Sequence, residues 1–351
     1  MFDGPPQLEL DPGERRARLR LARSARIGPV TFHEALAHFG SARAACASLA
    51  TVPDAVMEHE EEALAALGGR FVVWGDPLYP AGLAAIPDAP PVLSAIGNLG
   101  LLGCPTLAVV GGREASLAGR RFAADLAATL GGAGHVIASG LARGIDAAAH
   151  EAALPTGTVA VLACGLDQAY PPQNATLQDA IAERGLLLSE CTLGVPPIAR
   201  AFPRRNRIVS GLSVGVVVVE AAAKSGSLIT ARRAVEQGRE VFVVPGSPMD
   251  PRHAGSNSLI REGAILIRDA NDIMSVLGRP QVAPQAIEKK SQITTDTLTA
   301  TVVAALGSVP TAVDELVRRC QVSAASVAEV LFSLELEGRL ERHRGNRVSL
   351  I

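Results

Sequence analysis

The sequence predicts an α/β protein: a doubly wound, mostly parallel sheet with a helical module on either side of it in the chain. Three observations predict it. Between residues 105 and 278, seven short apolar runs alternate with longer helical stretches, so the strands need crossover connections and lie parallel. Ahead of them, residues 12–68 carry apolar side chains at helical spacing, broken by turn signals. After them, residues 297–351 read as helix, helix-turn-helix and a closing hairpin.

Taken in order, residues 1–68 predict a bundle of short helices. Leu19, Leu21, Ile27, Leu36, Phe39, Leu49, Leu64 and Leu67 recur at helical spacing, with breaks at Ile27-Gly28-Pro29 and Phe39-Gly40-Ser41. Short helices joined by glycine turns suggest a SAM-like or helix-hairpin-helix bundle. Its first helix carries Arg15, Arg16, Arg18, Arg20, Arg23 and Arg26 against Glu14 alone. That face is either a DNA-backbone contact or a solvated stripe.

The second domain is expected over 69–280. Phe71–Trp74 and Val92–Ile96 are candidate edge strands within a Pro- and Gly-rich lead-in. Leu107–Val110, His135–Ala138, Val159–Leu162, Leu186–Leu188, Val214–Val219, Val241–Val244 and Ile265–Ile267 are the candidate strands of a Rossmann-like sheet. Residues 281–296 are poor in apolar side chains and predict a linker. The module at 297–351 has helical patterns at Leu298–Leu306, Ala312–Cys320 and Ala324–Gly338, then a hairpin around Gly345-Asn346, which is a winged-helix layout.

Composition bounds the function. The chain has 351 residues, with 33 Lys+Arg against 35 Asp+Glu, so a uniformly basic protein is excluded while local basic stripes are not. Hydrophobic residues make up 48%, as in a globular chain, yet no segment reaches the roughly 18 apolar residues of a membrane span. The first residues lack the order of a signal peptide. Cys46, Cys104, Cys164, Cys191 and Cys320 are scattered and form no CxxC pair, which fits a reducing cytoplasm and argues against disulfides and a cysteine zinc site. Neither HExxH nor HxH occurs, and no metal or cofactor is expected.

In a parallel sheet the functional loops gather beyond the carboxyl ends of the strands. Those ends carry Gly111-Gly112-Arg113, then Ser139-Gly140-Leu141-Ala142-Arg143-Gly144, then Tyr170, and a long connection with Phe202-Pro203-Arg204-Arg205-Asn206-Arg207. Lys224-Ser225-Gly226-Ser227 with Thr230, and Pro245-Gly246-Ser247, follow the later strands. Glycines let amides approach an anion, hydroxyls donate to phosphate oxygens, and arginines supply charge. The rim is suited to phosphates. GxxxxGK[ST] is absent, which excludes a P-loop, and the lack of GxGxxG after the first strand argues against a dinucleotide cofactor.

The stretches SGLARGIDAAAH (139–150), FPRRNRIVSGLS (202–213), EAAAKSGSLITA (220–231) and VPGS…GSNSLIREGA (244–264) resemble the DNA-processing protein A (DprA/Smf) family, as does the lead-in GDPLYPAGLAAIPDAPPVLSAIGN (75–98). One departure is Gly111-Gly112-Arg113, where that family usually has Gly-Ser-Arg; the arginine is kept and one hydroxyl donor is lost. The resemblance implies a single-stranded DNA-binding protein that dimerises through its Rossmann-like domain and helps load the RecA recombinase in natural transformation or recombination. It implies a DNA pocket made of Gly112, Arg113, Ser139, Gly140, Arg143, Gly144, Arg204, Arg205, Asn206, Arg207, Lys224, Ser225, Gly226, Ser227 and Thr230. Stacking partners are scarce: Phe202 and Tyr170 are the aromatics near the rim, and Phe202 reads equally as core.

Other classes remain open. Ser139, Asp146 and His150 fall within one strand–loop–helix and invite a hydrolytic triad, although GxSxG is absent and Asp146 sits where an N-cap carboxylate belongs. Nucleotide phosphoribohydrolases share a related fold, but their PGGxGTxxE signature is missing. A winged-helix regulator is a further reading; residues 297–351 balance six arginines against six acids, unusual for a stand-alone duplex reader. For a dimer, Leu259, Ile260, Ile265, Ile267, Ile273, Met274 and Leu277 offer an apolar surface, or else pack the last helix onto the sheet.

Overall fold

The computed structural model describes residues 10–278 and, beyond them, 299, 302–306, 310–320, 324–336, 338–343 and 347–350. The chain divides into two compact units, Met1–Ile287 and Glu288–Ile351. The expected linker and the tip of the closing hairpin lie outside the described residues.

The first unit is built on a nine-stranded sheet ordered β1-β2-β6-β5-β4-β3-β7-β8-β9. Its strands are β1 Gly69–Val73, β2 Val92–Gly97, β3 Thr106–Val110, β4 Val136–Ser139, β5 Thr158–Leu162, β6 Leu186–Ser189, β7 Gly215–Val218, β8 Glu240–Val243 and β9 Ile265–Leu266. From β6 to β9 every neighbouring pair is parallel. The two candidate edge strands join the same sheet, with β1 antiparallel to β2 and β2 antiparallel to β6. Each of the seven expected parallel strands is present within two residues of its expected ends, because a strand buried on both faces is a continuous apolar run.

Helices cover both faces. In chain order they are α1 Pro12–Arg23, α2 Pro29–Phe39, α3 Ala42–Ser48, α4 Asp54–Ala66, α5 Ala81–Ala84, α6 Leu117–Gly132, α7 Ile145–Ala153, α8 Ala175–Arg184, α9 Ala201–Leu212, α10 Ser227–Glu236, α11 Ala254–Arg261 and α12 Ala270–Leu277. The period of two sorts the central strands: Ala108, Val110, Val216 and Val218 pack with Ile208, Val209, Ala231 and Ala234 of α9 and α10. Leu107, Val109 and Val217 face Leu126, Leu130, Ala149 and Ile273 of α6, α7 and α12. A third cluster joins Leu19, Met57 and Leu64 of α1 and α4 to Phe71, Val73, Leu162 and Leu187 of the sheet.

The arginines of α1 are fasteners and not a stripe free for a ligand. Arg15 donates to the Phe71 carbonyl at 2.9 Å and Arg18 to that of Trp74 at 2.6 Å. Arg16 pairs with Glu61, Arg20 with Asp54, and Arg23 with Glu60 at 2.9 Å. The face read from sequence as nearly all arginine lacked its acids because they come from α4 and from Asp76 after β1, more than 30 residues further along the chain.

In the second unit, β10 Thr311–Ala312, β12 Arg347–Leu350 and β11 Leu340–His343 form an antiparallel sheet in that order. Helices Val313–Cys320 and Ala324–Leu336 pack over it around Leu316, Val327, Leu331, Leu334 and Val348. This is the winged-helix layout.

Candidate nucleic-acid interface

Strand order reverses at β3: the chain runs outward from it through β4, β5 and β6 on one flank, then returns to pair β7 on the other. A doubly wound sheet opens a crevice at such a point, because successive crossovers there leave by opposite faces. Here it is a cavity of about 800 Å³ beyond the carboxyl ends of β3, β4 and β7. Gly112 and Arg113, Gly140 and Arg143, Arg205 and Asn206, and Lys224, Ser225, Gly226, Ser227 and Thr230 line it. Four segments far apart in sequence therefore meet at one place. A second cavity of about 300 Å³ adjoins it over β4 and β5, and the two share Arg113, Gly140, Arg143, Phe202 and Arg205.

Arg113, Arg143 and Lys224 are exposed at the mouth. The Arg113 guanidinium sits 5.4 Å from the centre of the Phe202 ring, and Tyr170 lies 5.7 Å from the same ring. Phe202 is half-buried on the wall of both cavities, so it is part of the rim as well as of the packing. At the first turn of α10, the Ser225 and Ser227 hydroxyls stand 2.7 Å apart and Thr230 is buried behind them.

The FPRRNRI stretch is helical and not a loop, and this sorts its cations. Successive residues of an α-helix turn by 100°, so four in a row cannot face one cavity. Arg205 points into the site and donates to the Val161 carbonyl at 3.0 Å. Asn206 donates to the Gly226 carbonyl at 3.3 Å, tying α9 to the loop before α10. Arg204 is 62% exposed, lines a different cavity near Cys191, and stands 3.8 Å from Glu190. Arg207 turns inward, 4% exposed, and pairs with Glu190 at 2.6 Å and Asp88 at 3.7 Å. The structure does not bring Arg204 or Arg207 to the central cavity.

Two more expected residues serve the scaffold. Ser139 is buried and donates to the Val109 carbonyl at 2.6 Å. Gly144 has φ +81° and a Cβ there would stand 2.3 Å from the Gly112 carbonyl oxygen, so its role is close approach of two loops. Between them Leu141 holds φ +56°, a costly conformation for a leucine. The buried Asp146 carboxylate fixes it by accepting the amides on either side, Gly140 at 3.1 Å and Ala142 at 3.3 Å. Gly140 is thus at the cavity, but its amide is already used. Its missing side chain matters more, since a Cβ would stand 1.5 Å from the Arg205 guanidinium.

Burial raises the Asp146 carboxyl above its ordinary range, with nearby Arg205 opposing, and burial lowers the Arg205 guanidinium with Asp146 opposing. Burial pushes His150 down to about 3. Its Nδ1 lies 2.7 Å from the Thr158 hydroxyl, which itself donates to the Ile137 carbonyl, so the imidazole is neutral with its proton on Nδ1. His150 is held by Thr158 and the Ser139 hydroxyl donates to the Val109 carbonyl, so Ser139, Asp146 and His150 do not form a triad. Three charged lining residues were not singled out from the sequence: Glu114, Glu220 and Arg252. Position just past β3 and β7 was the available signal for the first two; Arg252 arrives from the loop after β8.

Residues 70–278 match the family described as DNA recombination-mediator protein A, residues 12–67 the DprA-like N-terminal HHH domain, and residues 286–346 the DprA winged helix domain. The chain is 41% identical over 280 residues to protein Smf of Escherichia coli, covering 78% of this chain and 75% of that one. It is 48% identical over 202 residues to the DNA processing protein DprA of Streptococcus pneumoniae, covering 57% and 71%. The solved structure of that streptococcal protein aligns at a TM-score of 0.60 with 40% identity, covering 72% of this chain and 83% of that one. DNA processing protein A from Helicobacter pylori, whose structure is described for its single-stranded DNA binding mode, aligns at 0.53 with 35% identity over 56% and 92%. The sheet order, the crevice at its reversal and these matches along the chain agree: the protein belongs to the DNA recombination-mediator protein A family.

Proposed function

We propose that the protein binds single-stranded DNA without catalysis, protects it, and helps load the RecA recombinase during transformation or recombination. One observation carries the reading: Arg113, Arg143, Lys224 and Arg252 converge on a glycine- and serine-lined cavity while the whole chain is near neutral. Cations at a mouth track a phosphate backbone, and Phe202 with Tyr170 adds a small stacking surface. The assignment of Gly112, Arg113, Gly140, Arg143, Arg205, Asn206, Lys224, Ser225, Gly226, Ser227 and Thr230 to this contact follows from that convergence. Transfer to a recombinase rests on family membership.

A homodimer of the first unit is part of the proposal, with a revised surface. Ile267, Ile273 of α12 and Leu259 of α11 are buried, so they pack the last helices onto the sheet. What stays outside at this end is β9, an open edge strand, with Leu266 45% and Val276 46% exposed. Titration with labelled oligonucleotides across salt tests the function. Single strands should bind better than duplex, with little base preference, and log K should fall by about 0.7 per phosphate contact for each log unit of salt. A flat salt response, or tight sequence-specific duplex binding, would favour a winged-helix regulator instead.

A further inference from the structure

The carboxyl ends of β3 and β7 meet where a doubly wound sheet offers the start of its first helix to a ligand's pyrophosphate. In this chain an acid already stands there. Glu220, the residue two past the end of β7, is buried, yet lines the central cavity among its cations. Its Oε2 accepts the Ser116 amide at 2.9 Å and its Oε1 accepts the Ser116 hydroxyl at 2.5 Å. Ser116 is the N-cap of α6, and its Oγ also accepts the Gly119 amide at 2.8 Å.

We propose that Glu220 is a specificity-determining residue: its carboxylate takes the place of a phosphate at the head of α6, so the cavity refuses nucleotide pyrophosphates and leaves strand phosphates to the outer cations. The inference rests on the single-strand reading above and deepens it. Three further observations support it. The fit is tight, since a Cβ on Gly119 would stand 2.4 Å from Glu220 Oε1, and no phosphate fits between them. Among the described residues, the basic side chain within 4 Å of the carboxylate is His253, with Nε2 at 3.8 Å from Oε1. Arg113 and Lys224 are therefore not neutralised by it, and they keep their charge for a ligand outside. Finally, a second anion brought to the Ser116 amide would meet a like charge in a poorly solvated corner, which repels steeply at such distances.

Calorimetric titration of the full chain with inorganic pyrophosphate, and separately with ADP, decides the matter. The parent protein should bind pyrophosphate only weakly, through its outer cations. Glu220→Gln keeps the shape and an acceptor for the amide but removes the charge; it should bind pyrophosphate at least about tenfold more tightly than the parent. Ser116→Ala, which loosens the same corner but keeps the charge, should bind no more tightly than the parent. Thermal melting confirms that each variant is folded, and Glu220→Ala replaces the glutamine variant if the latter is not. A parent that binds pyrophosphate as well as Glu220→Gln does, a folded variant that gains nothing, or a gain in Ser116→Ala equal to that of Glu220→Gln overturns the assignment. So does failure of both Glu220 variants to fold, which would make the carboxylate a structural requirement. Oligonucleotide binding by the parent is measured alongside. Its absence would remove the single-strand reading, while the pyrophosphate results judge Glu220 independently.

Discussion

Arg204 and Arg207 differ by three positions and by nearly everything else that matters energetically. Arg207 is buried against Glu190 and Asp88, so truncation leaves acids without their cation. Arg207→Ala should lower stability by about 3–5 kcal/mol in urea melts, whereas Arg204→Ala, at an exposed site, should cost less than about 1 kcal/mol. Arg113→Ala and Lys224→Ala should leave the melt unchanged, weaken single-strand binding, and each reduce the salt slope by about 0.7. His150 makes a different prediction. Its folded-state value near 3 lies below the ordinary 6.5, so between those pH values the unfolded chain binds the extra proton. Its contribution to stability is intact above pH 6.5 and is lost as pH falls toward 3. Asp146, raised by burial, acts with the opposite sign at the acid end. Chemical denaturation from pH 7 to pH 4 should show this loss, and His150→Leu should flatten it without changing DNA affinity at pH 7.

At the level of elements, the site depends on α9 lying flat on the loop after β4. The Arg205 guanidinium occupies the space that a side chain at position 140 would need, between that loop and the Val161 carbonyl of β5. Gly140→Ala should therefore displace Arg205, at a cost of roughly 1–3 kcal/mol from overpacking, and weaken single-strand binding together with stability. Unchanged affinity in a folded Gly140→Ala protein would remove Arg205 from the contact. The periodicity of α9 also explains why a run of cations in sequence overstated the charge at the cavity. The seven parallel strands, by contrast, could be read directly, because burial on both faces leaves an uninterrupted apolar run with no partner needed to recognise it.

For the whole molecule, the separation into two compact units predicts that residues 1–280 fold alone, since the three large clusters of the first unit include no residue beyond that point. The truncated chain should melt cooperatively, keep most single-strand affinity and run as a dimer in light scattering at micromolar concentration; a strict monomer that binds equally tightly would refute the dimer. No helix among the described residues is long and apolar enough to cross a membrane. By itself, the sequence determined the class of fold, the seven parallel strands within two residues, the winged-helix layout, and which loops stand at the carboxyl rim. All of these follow from period and run length, which are local properties. Tertiary structure alone decided that the arginines of α1 face acids, that Arg207 and Ser139 turn inward, that Asp146 takes the amides beside Leu141, and that Glu220 fills the start of α6. Each of those outcomes depends on a partner outside the immediate neighbourhood in sequence, from four residues away between Asp146 and Ala142 to 104 between Glu220 and Ser116. A charged or polar side chain can be satisfied by solvent or by such a partner, and its own neighbours in sequence carry no record of which.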